Sequence, residues 1–315
     1  MKGGAALGIG LAAPTIITKS AWGYTNEPTG SSVTLGFNVP QTGAYADEGA
    51  DELRAYQLAV EHLNGEGDGG MLNTFSSKEL KGDGVLGKKV EYVTGDTQTK
   101  SDAARASAKR MIEADGAVMI TGGSSSGVAI AVQGLCQEAG VIFMAGLTHS
   151  NDTTGKDKKA NGFRHFFNAY AGENVKGIFG STNWHWSLQD EGSQAFVKSF
   201  GQKYGFPPSQ AAHTCYAQAL LYADACQRAG TFNPCGVVEA LEGFEFDGLG
   251  NGPTLYRAED HQCFKDVLVV KGKDNPTSEF DLLEVVDVTP ASQVTYAPDH
   301  PMFAGGSLGE CNPGA

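Results

Sequence analysis

Apolar residues fall into two alternating patterns along this chain. Short unbroken runs are followed by stretches in which they recur every three or four positions, the rhythm of buried strand and amphipathic helix. Residues 117–152 (AVMITGGSSSGVAIAVQGLCQEAGVIFMAGLTHSND) show it best. Residues 118–120 and 141–144 read as strands of a parallel sheet, and Val128, Val132, Leu135 and Ala139 between them share one face of a helix. Upstream, residues 33–39 read as a first strand, and Leu53, Tyr56, Val60 and Leu63 mark a helix that ends in the Gly-rich stretch 65–70. Residues 90–93 read as a second strand, followed by a helix capped by Ser101 and facing inward through Ala104, Ala108 and Met111 or Ile112. This alternation predicts an α/β fold, a parallel sheet flanked by helices with right-handed crossovers.

The rhythm breaks after residue 152. Residues 163–168 and 175–180 read as short strands with almost nothing between them. Helices are expected at 189–204, with Phe196, Phe200 and Tyr204 in line, and at 211–229, with Tyr216, Leu220 and Ala223. Asn233 and Pro234 give a third helix its cap and first-turn proline, and residues 264–271 and 280–288 alternate as strands.

With 315 residues, 43 glycines and 19% charged residues, the chain suits one large or two ordinary loop-rich domains. Its formal net charge of −13 makes nucleic acid and anionic membranes poor partners. Residues 3–17 carry no charge and stand between Lys2 and Lys19, which reads as an export signal and implies a periplasmic location. The residues after Met1 resemble a twin-arginine signal with a truncated start, but no Arg pair is present and the route stays open. Of the six cysteines, Cys136 is expected as a buried free thiol. Cys215 and Cys226 share one helix three turns apart, too far to bridge, so Cys226 with Cys235 and Cys263 with Cys311 are the expected pairs. Their spacing is not that of a metal site, and no cofactor is expected.

In an open parallel sheet the turns after the strands lie on the edge that holds ligands. The turn 122–127 (GGSSSG) leads into a helix N-terminus with free N–H groups and three hydroxyls, a place for a carboxylate or other small anion. The next turn, with Gly146, Leu147, Thr148, His149 and Ser150, adds a hydroxyl and a carbonyl edge suited to an ammonium or amide. Tyr45, after the first strand, could cover a small solute. Ser is a common cap and Gly a common turn residue, so the repetition on successive strands is what points to a ligand site. Trp184 and Trp186 either face that cleft or pack beside it. The first turn also matches the G-x-S-x-G of α/β-hydrolases, with Ser125 as nucleophile and His213, His261 or His300 with Asp224, Asp247 or Asp260 as its partners. No HGG-type oxyanion segment precedes it. A nucleotide site is disfavoured, since Val128 follows Gly127 where a P-loop needs Lys.

The runs VTLGFNVPQTGAYADEGADELRAYQLAVEHLN, VMITGGSSSGVAIAV, IFMAGLTHSND, FRHFFNAY, VKGIFGSTNWHW and YGFPPSQAAHTCYAQALLYADACQRAG resemble, in order, the periplasmic solute-binding proteins of the branched-chain amino acid type. These leucine/isoleucine/valine-binding-like receptors serve ABC importers. The resemblance implies a type I periplasmic-binding-protein fold, two lobes closing on a solute by hinge bending with no chemistry performed, and so no enzyme. It implies a monomer that meets the permease subunits of an ABC transporter. It further implies that Ser124 and Ser125 hold the ligand's α-carboxylate, Gly146 and Thr148 its α-ammonium, and that Tyr45 touches the ligand. A branched-chain amino acid is the expected solute, an amide or urea the alternative. In relatives several α/β units stand between the blocks that here meet at Tyr170 and Glu173, so something on the order of a hundred residues of the second lobe is expected to be missing, and ligand affinity with it. The expected organisation is export signal and linker 1–30, first-lobe segment 31–170, hinge and second-lobe remnant 171–183, returning first-lobe helices 184–262, and terminal strands and tail 263–315.

Overall fold

The computed structural model describes residues 27–122, 124–165, 179–301, 303 and 305–314. Residues 1–26 of the expected export signal lie outside it, as do residues 166–178, on which most of the expected hinge and parts of two expected strands fall.

Five strands form one parallel sheet in the order β2-β1-β3-β4-β5: β1 (Ser32–Val39), β2 (Lys89–Asp96), β3 (Met119–Gly122), β4 (Ile142–Ala145) and β5 (Gly162–Arg164). The helices α1 (Ala46–Leu63), α2 (Ser101–Glu113) and α3 (Ser126–Ala139) follow β1, β2 and β3. Successive strand side chains point to opposite faces. Met119, Ile142 and Met144 therefore pack on the α1 side with Val33, Leu35 and Phe37, whereas Ile120, Phe143 and Ala145 meet Ala104, Ala108, Met111, Val128 and Val132 of α2 and α3. Both faces are covered, as the unbroken apolar runs require. Ser101 is not a cap. Lys100 takes that position, and Ser101 Oγ donates to the Gly127 carbonyl at 3.3 Å instead.

The chain then returns to the α1 side as α4 (Glu191–Tyr204), α5 (Gln210–Ala229) and α6 (Pro234–Leu241). Side-chain oxygens of Asp190, Ser209 and Asn233 cap these helices, each accepting from a free N–H of the first turn. Residues 211–226 of α5 are all buried, so the face through Tyr216, Leu220 and Ala223 is only part of what it packs. A helix buried all round must satisfy its polar side chains inside the protein. Gln218 does so twice: its Oε1 accepts from the Tyr56 hydroxyl at 3.1 Å and its Nε2 donates to the Ala145 carbonyl. Tyr56 in turn stacks on Phe37, with ring centroids 4.5 Å apart.

Two small antiparallel sheets are also present. One holds β7 (Glu245–Phe246), β8 (Thr254–Tyr256) and β9 (Cys263–Phe264), of which β7 and β8 are too short to leave a pattern in the sequence. The other has the order β11-β10-β6, from β6 (Phe179–Thr182), β10 (Val267–Gly272) and β11 (Leu283–Thr289). Among the described residues there is no second parallel sheet. Residues 165–178 separate β5 from β6, against about 30 residues for a single βαβ unit. None of the described helices is long and apolar enough to cross a membrane.

Cys235, in the first turn of α6, bonds to Cys311, in place of both expected pairings. Cys226 is turned into the core by α5 and Cys263 is enclosed in β9; both stay free, and burial pushes their thiols up to about 12 and about 11. Cys136 is free and buried, as expected. The tail is also held by Asn312, whose N–H donates to Asn161 Oδ1 at 3.0 Å and whose Nδ2 donates to the Gln137 carbonyl at 2.8 Å. Closing a span of 76 residues removes unfolded-chain entropy worth about 4 kcal/mol in the loop-closure account. The double variant Cys235→Ser, Cys311→Ser is therefore expected to lose about 2–4 kcal/mol in denaturant unfolding. An unchanged midpoint would mean that the tail's hydrogen bonds suffice without the bond.

Candidate functional site

The carboxyl ends of β3 and β4 bring the two Gly/Ser/Thr turns together. Gly146 N–H donates to the Gly122 carbonyl at 3.3 Å, and Ser150 N–H donates to Ser126 Oγ at 3.0 Å. Gly122 also lets the end of β3 lie close against β1: its φ is +108°, and a Cβ there would lie 1.7 Å from the Asn38 carbonyl oxygen. The hydroxyls, however, point inward. Ser124 is buried and donates to Glu52 Oε1 at 2.6 Å, while Thr148 is fully buried with its Oγ1 3.4 Å from Thr153 Oγ1. Ser125 stands at the cap position of α3 without a side-chain capping bond. Tyr45 precedes α1 and is 43% exposed.

Beside these turns lies a cleft of about 640 Å³. Leu147 and His149 reach it from the β4 turn, but Tyr45, Ser124, Ser125, Gly146 and Thr148 are not among its lining residues. One wall is the start of α1, through Asp47, Glu48, Asp51 and Arg54. The opposite wall is β6 with Val270 of β10 and Leu283 of β11, and between them stand Trp184, His185, Trp186, Phe206 and the segment leading into α5. Both tryptophans thus line the cleft. Trp184 is 1% exposed and stacks on His213, with centroids 4.5 Å apart; Trp186 Nε1 donates to the Phe280 carbonyl at 3.3 Å. The acidic wall was missed in the sequence, although Asp47, Glu48, Asp51 and Glu52 recur at the helical spacing of three to four that places them on one side of α1.

Burial dominates the electrostatics. It pushes Glu48 up to about 7 and raises Asp51, whose Oδ2 accepts from Ser209 N–H at 3.1 Å. Glu52 is pushed up to about 8 by burial first, with Glu48 and Asp51 adding to the rise and the Ser124 hydroxyl opposing it. Burial lowers His149, helped by Arg164, and takes His185 down to about 4, helped by Lys273. Near neutral pH both imidazoles are uncharged.

A hydrolase triad is not assembled. Ser125 makes no hydrogen bond to a histidine among the described residues, and the proposed partners are engaged elsewhere. His213 Nε2 lies 2.6 Å from the Leu249 carbonyl, and His261 Nε2 lies 2.9 Å from Glu242 Oε1. His300 lies against Tyr296, Asp224 binds Ser77 and Arg228, and Asp260 binds Arg257.

Glu52 yields a pH test. Its folded value lies above that of an unfolded carboxyl, so between about 4.5 and about 8 the folded state holds a proton the unfolded chain has released, and stability falls as pH rises through that window. Glu52→Gln preserves the shape and removes the titration. The variant is expected to lose less stability than the parent on going to pH 8, by on the order of a few kcal/mol. Equal slopes in denaturant unfolding would mean that Glu52 is ionised in the folded protein.

Residues 32–173 and 166–276 match the family described as periplasmic binding protein. A search of curated proteins finds no match. Among solved structures the fold is similar to an amino acid ABC transporter substrate-binding protein from Pseudomonas fluorescens Pf-5, at 16% identity and a TM-score of 0.72, covering 87% of this chain and 98% of that one. It is similar to an ABC-type branched-chain amino acid transporter protein from Rhodopseudomonas palustris CGA009, at 16% identity and a TM-score of 0.69, covering 83% and 98%. A solute-binding protein from R. palustris, solved in complex with benzoate, aligns at 14% identity and a TM-score of 0.67, covering 82% and 97%. At these identities the structures speak for the fold, the sheet and helix arrangement of type I periplasmic binding proteins. The two matched stretches together span most of the sequence, and the chain belongs to the periplasmic binding protein family, whose members are receptors that bind a solute rather than enzymes that transform one.

Proposed function

We propose that this chain is the extracytoplasmic substrate-binding component of an ABC importer and holds a small amino-acid-like solute in the cleft between α1 and β6. The observation that carries this reading is the cleft itself. It lies at the carboxyl edge of the parallel sheet, where open α/β folds hold ligands, and its volume of about 640 Å³ suits a small organic molecule. In this reading Leu147 and His149 touch the solute. Ser124, Ser125, Gly146 and Thr148 frame the site from beneath, Ser124 by its bond to Glu52 on α1. Tyr45 stands at the rim.

The second lobe is short in this reading. β6, β10 and β11 stand opposite α1 and supply a wall that such a lobe would otherwise give. Phe179 at the start of β6 is 64% exposed and Phe280, before β11, is 44% exposed, so this wall is open to solvent along its outer edge. A half-open site loses part of the burial and water exclusion of a closed one.

Titration calorimetry of the folded chain against amino acids, amines, amides and aromatic acids tests the proposal. Saturable binding of at least one of them is expected, with affinity weaker than about micromolar because the site is half open, accompanied by a change in tryptophan fluorescence and weakened further by Trp186→Ala. A folded chain that binds none of these solutes would overturn it.

A further inference from the structure

We propose that the cleft selects solutes that carry a protonated amine on an apolar or aromatic body, and turns away solutes whose only charge is a carboxylate. This rests on the receptor reading above and narrows it. Among the lining residues, Asp47, Glu48 and Asp51 are acids and Arg54 is the one Lys or Arg. His149 and His185, being held neutral, add no positive charge. Arg54 is engaged already: it pairs with Asp51 at 3.6 Å and lies over the Phe206 ring, 5.3 Å from its centroid. It shows at the rim what a cation finds here, a carboxylate on one side and an aromatic face on the other.

A second observation lies deeper. Asp51 is 8% exposed and lines the cleft; its Oδ2 accepts from Ser209 N–H, but its Oδ1 is met only by the Arg54 guanidinium at 3.6 Å, beyond hydrogen-bond distance. A buried carboxylate oxygen held only by so long a contact is under-satisfied, and a ligand ammonium group would supply a closer donor of the same charge as Arg54. Trp186, Phe206 and Phe280 also line the cleft and present ring surface, whereas Trp184 is buried against His213. Such faces attract cations and also take up an apolar body by burying it. Burial raises Glu48 to about 7; above that pH a carboxylate entering the same space would be stripped of water beside the ionised Glu48, with only the committed Arg54 to answer it, whereas a bound ammonium would favour the ionised form.

The experiment uses the full chain at about pH 8, above the value to which burial pushes Glu48, with phenethylamine, isopentylamine, leucine and benzoate as calorimetric probes. The amines are expected to bind at least tenfold more tightly than leucine, and benzoate to give no saturable heat. Asp51→Asn and Glu48→Gln are each expected to weaken amine binding at least tenfold. Glu48 is only partly buried, so its variant remains informative if Asp51→Asn fails to fold. Should leucine or benzoate bind more tightly than both amines, and Trp186→Ala still weaken them, the charge selection is wrong and the receptor reading stands. Should a folded chain bind none of the four, the selection fails, and the receptor reading then rests on the wider panel of solutes.

Discussion

The contact on which this structure turns is made by the side-chain amide of Gln218. It lies in the middle of a helix with no exposed face, where an unpaired amide would be costly, and it joins Tyr56 of α1 to the last carbonyl of β4. Tyr56 passes the link on to Phe37 in β1. Three elements distant in sequence are thereby set against one another at the carboxyl edge of the sheet. The start of α1, the turn after β4 and the start of α5 all contribute to the lining of the cleft, so the same amide that satisfies the core also helps to hold one side of it. Gly146 lies directly over this junction, where a Cβ would come within 3.4 Å of both the Tyr56 hydroxyl and Cys215 Sγ.

A second link sets the chemistry. Ser124 gives its hydroxyl to Glu52 and so ties the β3 turn to α1. The serine turn was expected to receive a carboxylate from a ligand; it meets instead the carboxyl group of Glu52, from within the protein. With the Ser124 hydroxyl so occupied, the cleft is lined instead by Glu48, Asp51, Leu147 and His149 among others.

The doubly wound sheet was legible because short unbroken apolar strands and period-three-to-four helices alternate without interruption through residue 145, and the opposite sides taken by Met119 and Ile120 follow from the strand geometry. The two turns were legible for the same reason, since the sheet topology places them side by side. What the pattern could not carry was direction. Whether the Ser124 hydroxyl points to solvent or to Glu52 depends on a contact between residues 72 positions apart. The aromatic wall depends likewise on β6 pairing with β10, a long-range antiparallel contact with no local signature. The cysteine pairing failed on similar grounds: proximity in sequence favoured Cys226 for Cys235, but the inward turn of α5 hides Cys226 and leaves Cys235 to the tail. The acids of α1 were visible as a helical stripe, yet a charged stripe is ordinarily a solvated face, and only burial against α5 and the cleft gives these a different meaning.

The bond between Cys235 and Cys311 also bears on when the protein becomes itself. Its two ends are held by different parts of the molecule, α6 on the α1 side and the tail that Asn312 ties to α3 and to Asn161. During synthesis α6 emerges well before the residue that must reach it, and in a reducing compartment the bond does not form at all. Until residue 311 has emerged and an oxidant is present, the chain is a looser molecule that lacks this fastening.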